Sequence, residues 1–242
     1  MFGWKGTERM ALTPYYDDGH GIVIYHGDCR EILPHLEADA VVSDPPYGMA
    51  WDGKVTRGKN GTGKAGPTKH YGQMIAGDAE PFDATPFLSF SEVLLWGFNH
   101  FPQHLGRGTA LVWIKRYDEG YGSFLSDAEI AWMNSGCGVY CKRDVSLQGE
   151  SMNRLHPTQK PVGIMKWCLS FIKGQTILDP FMGSGTTLVA ARDLGRRAIG
   201  VEIERKYCDI AIERLRQRAL PLSVEERPAH AEQEGLYGTS AK

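Results

Sequence analysis

The stretch "QTILDPFMGSGTTLVAARDLGRRAIGVEI" (175–203) constrains the fold more than any other part of the chain. It reads as a strand, a tight glycine turn, a helix closed by Gly195 and a second strand, the unit from which parallel sheets are built. The same alternation runs upstream. "GIVIYHGD" (21–28), "ADAVVSD" (38–44), "TALVWIK" (109–115) and "GVYCKRD" (138–144) read as strands. "KPVGIMKWCLSFI" (160–172) and "ERKYCDIAIERLRQR" (204–218) read as amphipathic helices, the second turning Tyr207, Ile210, Ala211 and Leu215 inward. Two further helices are expected. One spans "PFLSFSEVLLWGFNHF" (86–101), with Phe87, Phe90, Leu94 and Phe98 on one side. The other is "DAEIAWMN" (127–134), opened by a capping box of Ser126 and Glu129 and stopped near Gly136. The pattern predicts an α/β fold around a mainly parallel sheet.

In "DPFMGSGTT" (179–187), Gly183 and Gly185 let the backbone come close to a ligand, and the helix that follows aims its free N–H groups at that point. Glu202 ends the next strand, where an acid takes ribose hydroxyls in a dinucleotide-type site. A structural turn with a surface acid would use the same residues, but strand, helix and acid in register favour a nucleoside-containing cofactor. Leu188 stands where a third glycine would complete G-x-G-x-x-G, and Asp179 precedes the turn. That acid would repel a pyrophosphate and attract a ligand carrying an ammonium and a sulfonium.

Bulk properties narrow the setting. A chain of 242 residues, 42% hydrophobic, suits one catalytic-size domain. The net charge of −2 excludes a globally basic nucleic-acid binder, so a polyanion site has to be a local patch. Cys29, Cys137, Cys141, Cys168 and Cys208 form no C-x-x-C pair and suit free thiols in a cytoplasmic protein. Cys137 and Cys141 with His156 lack a fourth zinc ligand at sensible spacing, so no metal is expected. No run reaches membrane-spanning length, and none reads as a signal peptide.

"DPPY" (44–47) together with "DPFMGSGTT" resembles the S-adenosylmethionine-dependent amino-methyltransferases of DNA, which act on adenine N6 or cytosine N4. "GDCREIL" (27–33), "WGFNHF" (96–101), "VWIK" (112–115) and "HPTQKP" (156–161) also look like family segments, so the resemblance covers roughly Tyr15 to Arg218. DPPY precedes the glycine motif, which is the circularly permuted, beta-type order. The resemblance implies a Rossmann-like class I methyltransferase fold with helices on both faces of its sheet. It implies that Asp179, Pro180, Phe181, Gly183, Ser184, Gly185 and Thr186 hold the methionyl part of S-adenosylmethionine and that Glu202 takes the ribose. Asp28 and the Cys29 amide would face the adenine, with Thr158 and Lys160 near the methionyl carboxylate. A strand-end cap is the alternative for Asp28, and a solvated helix-start lysine for Lys160.

The tetrapeptide Asp44, Pro45, Pro46, Tyr47 then acquires a chemical purpose. An exocyclic base amine is a poor nucleophile because its lone pair is delocalised into the ring. Asp44, with the Pro45 carbonyl, can accept its hydrogens, the prolines fixing both directions. The developing charge is stabilised in place. The base must be flipped out of the duplex, and Tyr47 offers it a stacking face.

Residues 15–218 are expected to form the methyltransferase domain, after an N-terminal arm (1–14) and before a disordered tail (219–242). Residues 52–77 read as a mobile basic loop, in which Lys54, Arg57, Lys59, Lys64 and Lys69 outnumber Asp52 and suit DNA phosphates. The target-recognition region, 138–156, is minimal. Recognition is then short, uses the 52–77 loop, or needs a second subunit in a homodimer. The expected activity is site-specific methylation of adenine N6 in double-stranded DNA by a bacterial or phage-encoded enzyme, with cytosine N4 as the runner-up. A dinucleotide oxidoreductase and a non-catalytic DNA-binding protein of the same fold are the rivals.

Overall fold

The computed structural model describes residues 12–50, 76–122, 126–146 and 159–217. Among the described residues, nine strands form one sheet: β1 (Tyr16–Asp17), β2 (Ile22–His26), β3 (Ala40–Ser43), β4 (Glu92–Trp96), β5 (Thr109–Ile114), β6 (Ala128–Met133), β7 (Val139–Arg143), β8 (Thr176–Asp179) and β9 (Arg197–Glu202). The α-helices of the described residues are α1 (Cys29–Ile32), α2 (Val162–Leu169), α3 (Thr186–Asp193) and α4 (Arg205–Arg216). The spatial order is β1-β2-β9-β8-β3-β4-β6-β5-β7. From β2 to β4 all neighbours are parallel. β6 lies antiparallel between β4 and β5, β7 runs parallel to β5, and β1 pairs antiparallel with β2.

Two expected helices are strands. Over 86–101 the chain makes a short 3₁₀ turn (Thr85–Phe87), then β4, then a second turn (Phe98–His100). Leu94 and Trp96 join one core cluster, while Val93 and Leu95 join the other, on the opposite face. A strand covered on both faces has no polar side, so its sequence is a continuous apolar run. The stretch 127–134 is β6, and the Ser126 hydroxyl donates to the Ala128 carbonyl at 2.6 Å instead of capping a helix. Its buried Ala131, Trp132 and Met133 also divide between the two clusters.

One sheet face is covered by α2, α3 and α4, through residues such as Ile164, Leu188 and Ala211. The other is covered by α1 and by turns whose rings, Phe82, Phe87, Phe101 and Phe181, pack edge-on or stacked with centroids 4.8 to 5.8 Å apart. The connections diverge at the centre of the sheet. β8 leads through α3 to β9 on one side, whereas its neighbour β3 is followed by β4 on the other. A crevice outside the carboxyl ends of β8 and β3 follows from that reversal, and both motifs lie there.

Candidate active site

At the carboxyl end of β8 the glycine turn and its acids form one unit. Glu202, at the end of β9, accepts from the Gly183 amide at 3.0 Å and from the Glu204 amide at 2.8 Å. Asp179 accepts from the Ser43 hydroxyl at 2.6 Å and the Phe181 amide at 3.1 Å. Both acids are buried, and among the described residues neither forms an ion pair. Desolvation raises Asp179 to about 6 and Glu202 to about 7, against the pull of their hydrogen bonds. Buried carboxylates without a cation suit a ligand that brings positive charge and hydroxyl groups.

Gly183 and Gly185 both have positive φ, 51° and 77°. A Cβ on Gly185 would lie 2.7 Å from the Ala211 Cβ, so this glycine lets α4 approach the turn closely. Arg214 of α4 braces the turn, one guanidinium nitrogen donating to the Ser184 carbonyl at 2.6 Å, the Ser184 hydroxyl at 3.0 Å and the Thr186 hydroxyl at 3.1 Å. Sequence reasoning missed it, because an arginine on an exposed-looking helix face carries no motif.

Asp28 lies near Glu202, since His26 pairs with Glu202 across β2 and β9 and the Gly27 amide donates to the Glu202 carbonyl at 3.0 Å. Its carboxylate caps α1 through the Arg30 amide and is forked by the Arg30 guanidinium, which lowers its pKa. Cys29 beside it is buried, and desolvation pushes its thiol to about 11.

The DPPY segment leaves β3 directly beside this turn. Tyr47 donates its hydroxyl to Oδ1 of Asp44, and Lys160 donates to Oδ2. The Tyr47 ring stacks on His100, centroids 4.8 Å apart and planes 10° from parallel. It also lies over Gly97, where a Cβ would stand 2.0 Å from Cε1. Beyond the motif, the Gly48 and Met49 amides donate to Asp78 at 2.8 and 3.2 Å, which fixes the exit of the loop.

Lys160 lines the same cleft as Asp44, Asp179, Gly183 and Ser184, but its ammonium turns to Asp44 and, at 2.9 Å, to Glu129. Glu129 also holds Lys115 at 2.8 Å. Desolvation disfavours the buried ammonium, yet the carboxylates of Asp44 and Glu129 outweigh it and hold Lys160 well above its ordinary range. Desolvation likewise opposes the charge on Glu129, and Lys160 and Lys115 still pull it to about 2. For Asp44 burial prevails over Lys160, and its pKa is raised. Glu129 was invisible as a site residue because its stretch read as a helix start. Thr158, Lys54, Arg57, Lys59, Lys64 and Lys69 lie outside the described residues, as does most of the expected target-recognition region beyond Ser146. Among the described residues, no group of three or more His, Cys, Asp or Glu side chains could hold a metal ion, and no helix is long and apolar enough to cross a membrane.

A family model of the N6/N4 methyltransferase type, described as DNA methylase, matches residues 127–213, from β6 to α4. The Type II methyltransferase M.ScaI of Streptomyces caespitosus is 26% identical over 88% of this chain and 88% of its own length. M2.DpnII of Streptococcus pneumoniae, also a Type II methyltransferase, is 52% identical over a shorter stretch, 25% of this chain and 23% of that protein. Among solved structures, the PvuII DNA methyltransferase, described as cytosine-N4-specific, shares the fold. It has a TM-score of 0.54 at 13% identity, over 87% of this chain and 91% of that one. The DPPY tetrapeptide and the glycine turn meet at one crevice, and the comparisons make this chain similar to DNA amino-methyltransferases, with the DNA methylase match over residues 127–213.

Proposed function

We propose that the chain methylates the exocyclic N6 amine of adenine in double-stranded DNA, with Asp44 as the acceptor that activates the amine. The observation that carries this reading is the position of Asp44: its carboxylate stands on a Pro-Pro-stiffened exit from β3, next to a turn lined by two uncompensated acids. S-adenosylmethionine, when bound, supplies an electrophilic methyl group. Asp179 and Glu202 would hold its positive charge and ribose hydroxyls, with Phe181, Ser184 and Thr186 beside them. Asp44 and the Pro45 carbonyl would accept from the target amine, drawing its lone pair out of the ring and stabilising the charge that develops. A flipped base that stacks on Tyr47 must take the face opposite His100 or displace the imidazole.

Adenine is favoured by the aspartate that opens the tetrapeptide, which resembles the adenine enzymes, whereas the cytosine enzymes more often carry serine there. Cytosine N4 is the second reading, because the same acceptor geometry serves either amine. The basic loop after the acceptor would supply phosphate contacts, and the enzyme would act in the cytoplasm, alone or as a homodimer. Mass analysis of nucleosides from duplex DNA incubated with protein and cofactor decides the base. N6-methyladenine is expected, and N4-methylcytosine alone would transfer the assignment to the second reading.

A further inference from the structure

Four charged groups of alternating sign run from the end of β5 to the acceptor. Lys115 follows β5, Glu129 lies on β6, Lys160 stands just before α2, and Asp44 follows β3. Lys115 lies 2.8 Å from one oxygen of Glu129, Lys160 lies 2.9 Å from the other, and Lys160 donates in turn to Asp44. Lys160 is 5% exposed, and its ammonium sits 5.3 Å from the Trp96 ring centroid. A single carboxylate would suffice to compensate it, and it has two.

Among the described residues, four titratable groups face Asp44: Tyr47 from its own loop, Lys160, Glu129 from β6 and Asp179 from β8, of which Lys160 is the cation. Without it, burial and two neighbouring acids would favour the protonated carboxyl, which donates a hydrogen bond instead of accepting two. With Lys160 wholly committed to Asp44, the ammonium would compete with the amine for the same lone pairs.

We propose that Glu129 is a positioning residue for methyl transfer: by sharing Lys160 with Asp44, it limits the grip of the ammonium, so that the acceptor, whose ionised form Lys160 favours, keeps a lone pair for the amine. The proposal rests on the reading of Asp44 as the acceptor. The chain of charges does not serve as a proton wire, because a carboxylate held near 2 by Lys160 and Lys115, against desolvation, is a poor proton acceptor.

The test is the pH dependence of single-turnover methyl transfer to duplex DNA. Removing the cation by Lys160→Met should move the acid limb to higher pH. Removing the neighbouring negative charge by Glu129→Gln should move it to lower pH, each by about one unit. Lys160→Arg should return the limb towards wild type, and Glu129→Gln should keep cofactor affinity within about twofold while lowering the rate. Glu129→Gln carries the test alone if the lysine variants do not fold. A limb that stays in place in Glu129→Gln overturns the proposal. So does loss of cofactor binding in Lys160→Met with an unmoved limb, which would place that ammonium on the cofactor. Asp44→Asn separates the two levels: a wild-type limb in that variant sinks the acceptor reading itself, whereas its disappearance beside an unmoved Glu129→Gln limb sinks the positioning role alone.

Discussion

The Ser43 hydroxyl donates to Asp179 at 2.6 Å, a buried bond between the end of β3 and the end of β8. It ties the residue before Asp44 to the residue that opens the glycine turn, so the two halves of the candidate site share one anchor across the sheet. Ser43→Ala should raise the Asp179 carboxyl further above about 6. Cofactor affinity at pH 7 should fall by about tenfold, equivalent to ~1.4 kcal/mol, the scale of one hydrogen bond to a charged group. Titration calorimetry checks this, and wild-type affinity in the variant would remove the bond from the cofactor site.

The two acids of the turn give a second expectation. Asp179 at about 6 and Glu202 at about 7 lie above an ordinary carboxylate, first because of desolvation. The folded, ligand-free chain therefore binds these protons more tightly than the unfolded chain. Their contribution to stability is fully present below about pH 4 and is lost as pH rises through 6 to 7. Thermal unfolding should show this loss between pH 5 and 7.5, diminished in Asp179→Asn. A cofactor carrying an ammonium and a sulfonium favours the ionised acids, so its affinity should rise over the same interval and binding should release protons. Calorimetry in buffers of different ionisation enthalpy reads that release directly. A pH-independent affinity would mean that neither acid faces the cofactor's charge.

Gly97 separates acceptor geometry from cofactor binding. It has a φ of 74°, and an added Cβ would stand 2.0 Å from the Tyr47 ring. Gly97→Ala should therefore displace Tyr47 and its hydrogen bond to Asp44, besides costing about 1 kcal/mol of left-handed backbone strain. Methyl transfer should fall at least about tenfold while cofactor affinity stays near wild type. A parallel loss of both would show that the substitution disturbs the sheet instead.

What the sequence reveals depends on where each element lies in the sheet. β2, β3 and β8 were legible because each is a short β-branched run next to Gly, Asp or Pro, and β9 because it follows the strand, glycine turn and helix whose grammar announces the next strand. β4 was misread because burial on both faces erases the alternation that marks a strand. β6 was misread because Ser126 and Glu129 satisfy a local capping pattern, while pairing with β4 and β5 decides the conformation. That error also hid Glu129, whose partners Lys160 and Lys115 are joined to it through the sheet and not through any local motif. Asp44, Tyr47 and the glycine turn were identified from motifs, and their meeting through Ser43 and Asp179 required the fold.

The central claim is that Asp44 accepts from the target amine, and single-turnover methyl transfer by Asp44→Ala tests it most directly. The carboxylate now engaged by Tyr47 and Lys160 would be lost while the glycine turn remains intact. Cofactor affinity should stay near wild type. Transfer to duplex DNA should fall about a hundredfold or more, with Asp44→Asn retaining more activity because its amide oxygen still accepts. Transfer at the wild-type rate by Asp44→Ala, with cofactor bound, would contradict the account.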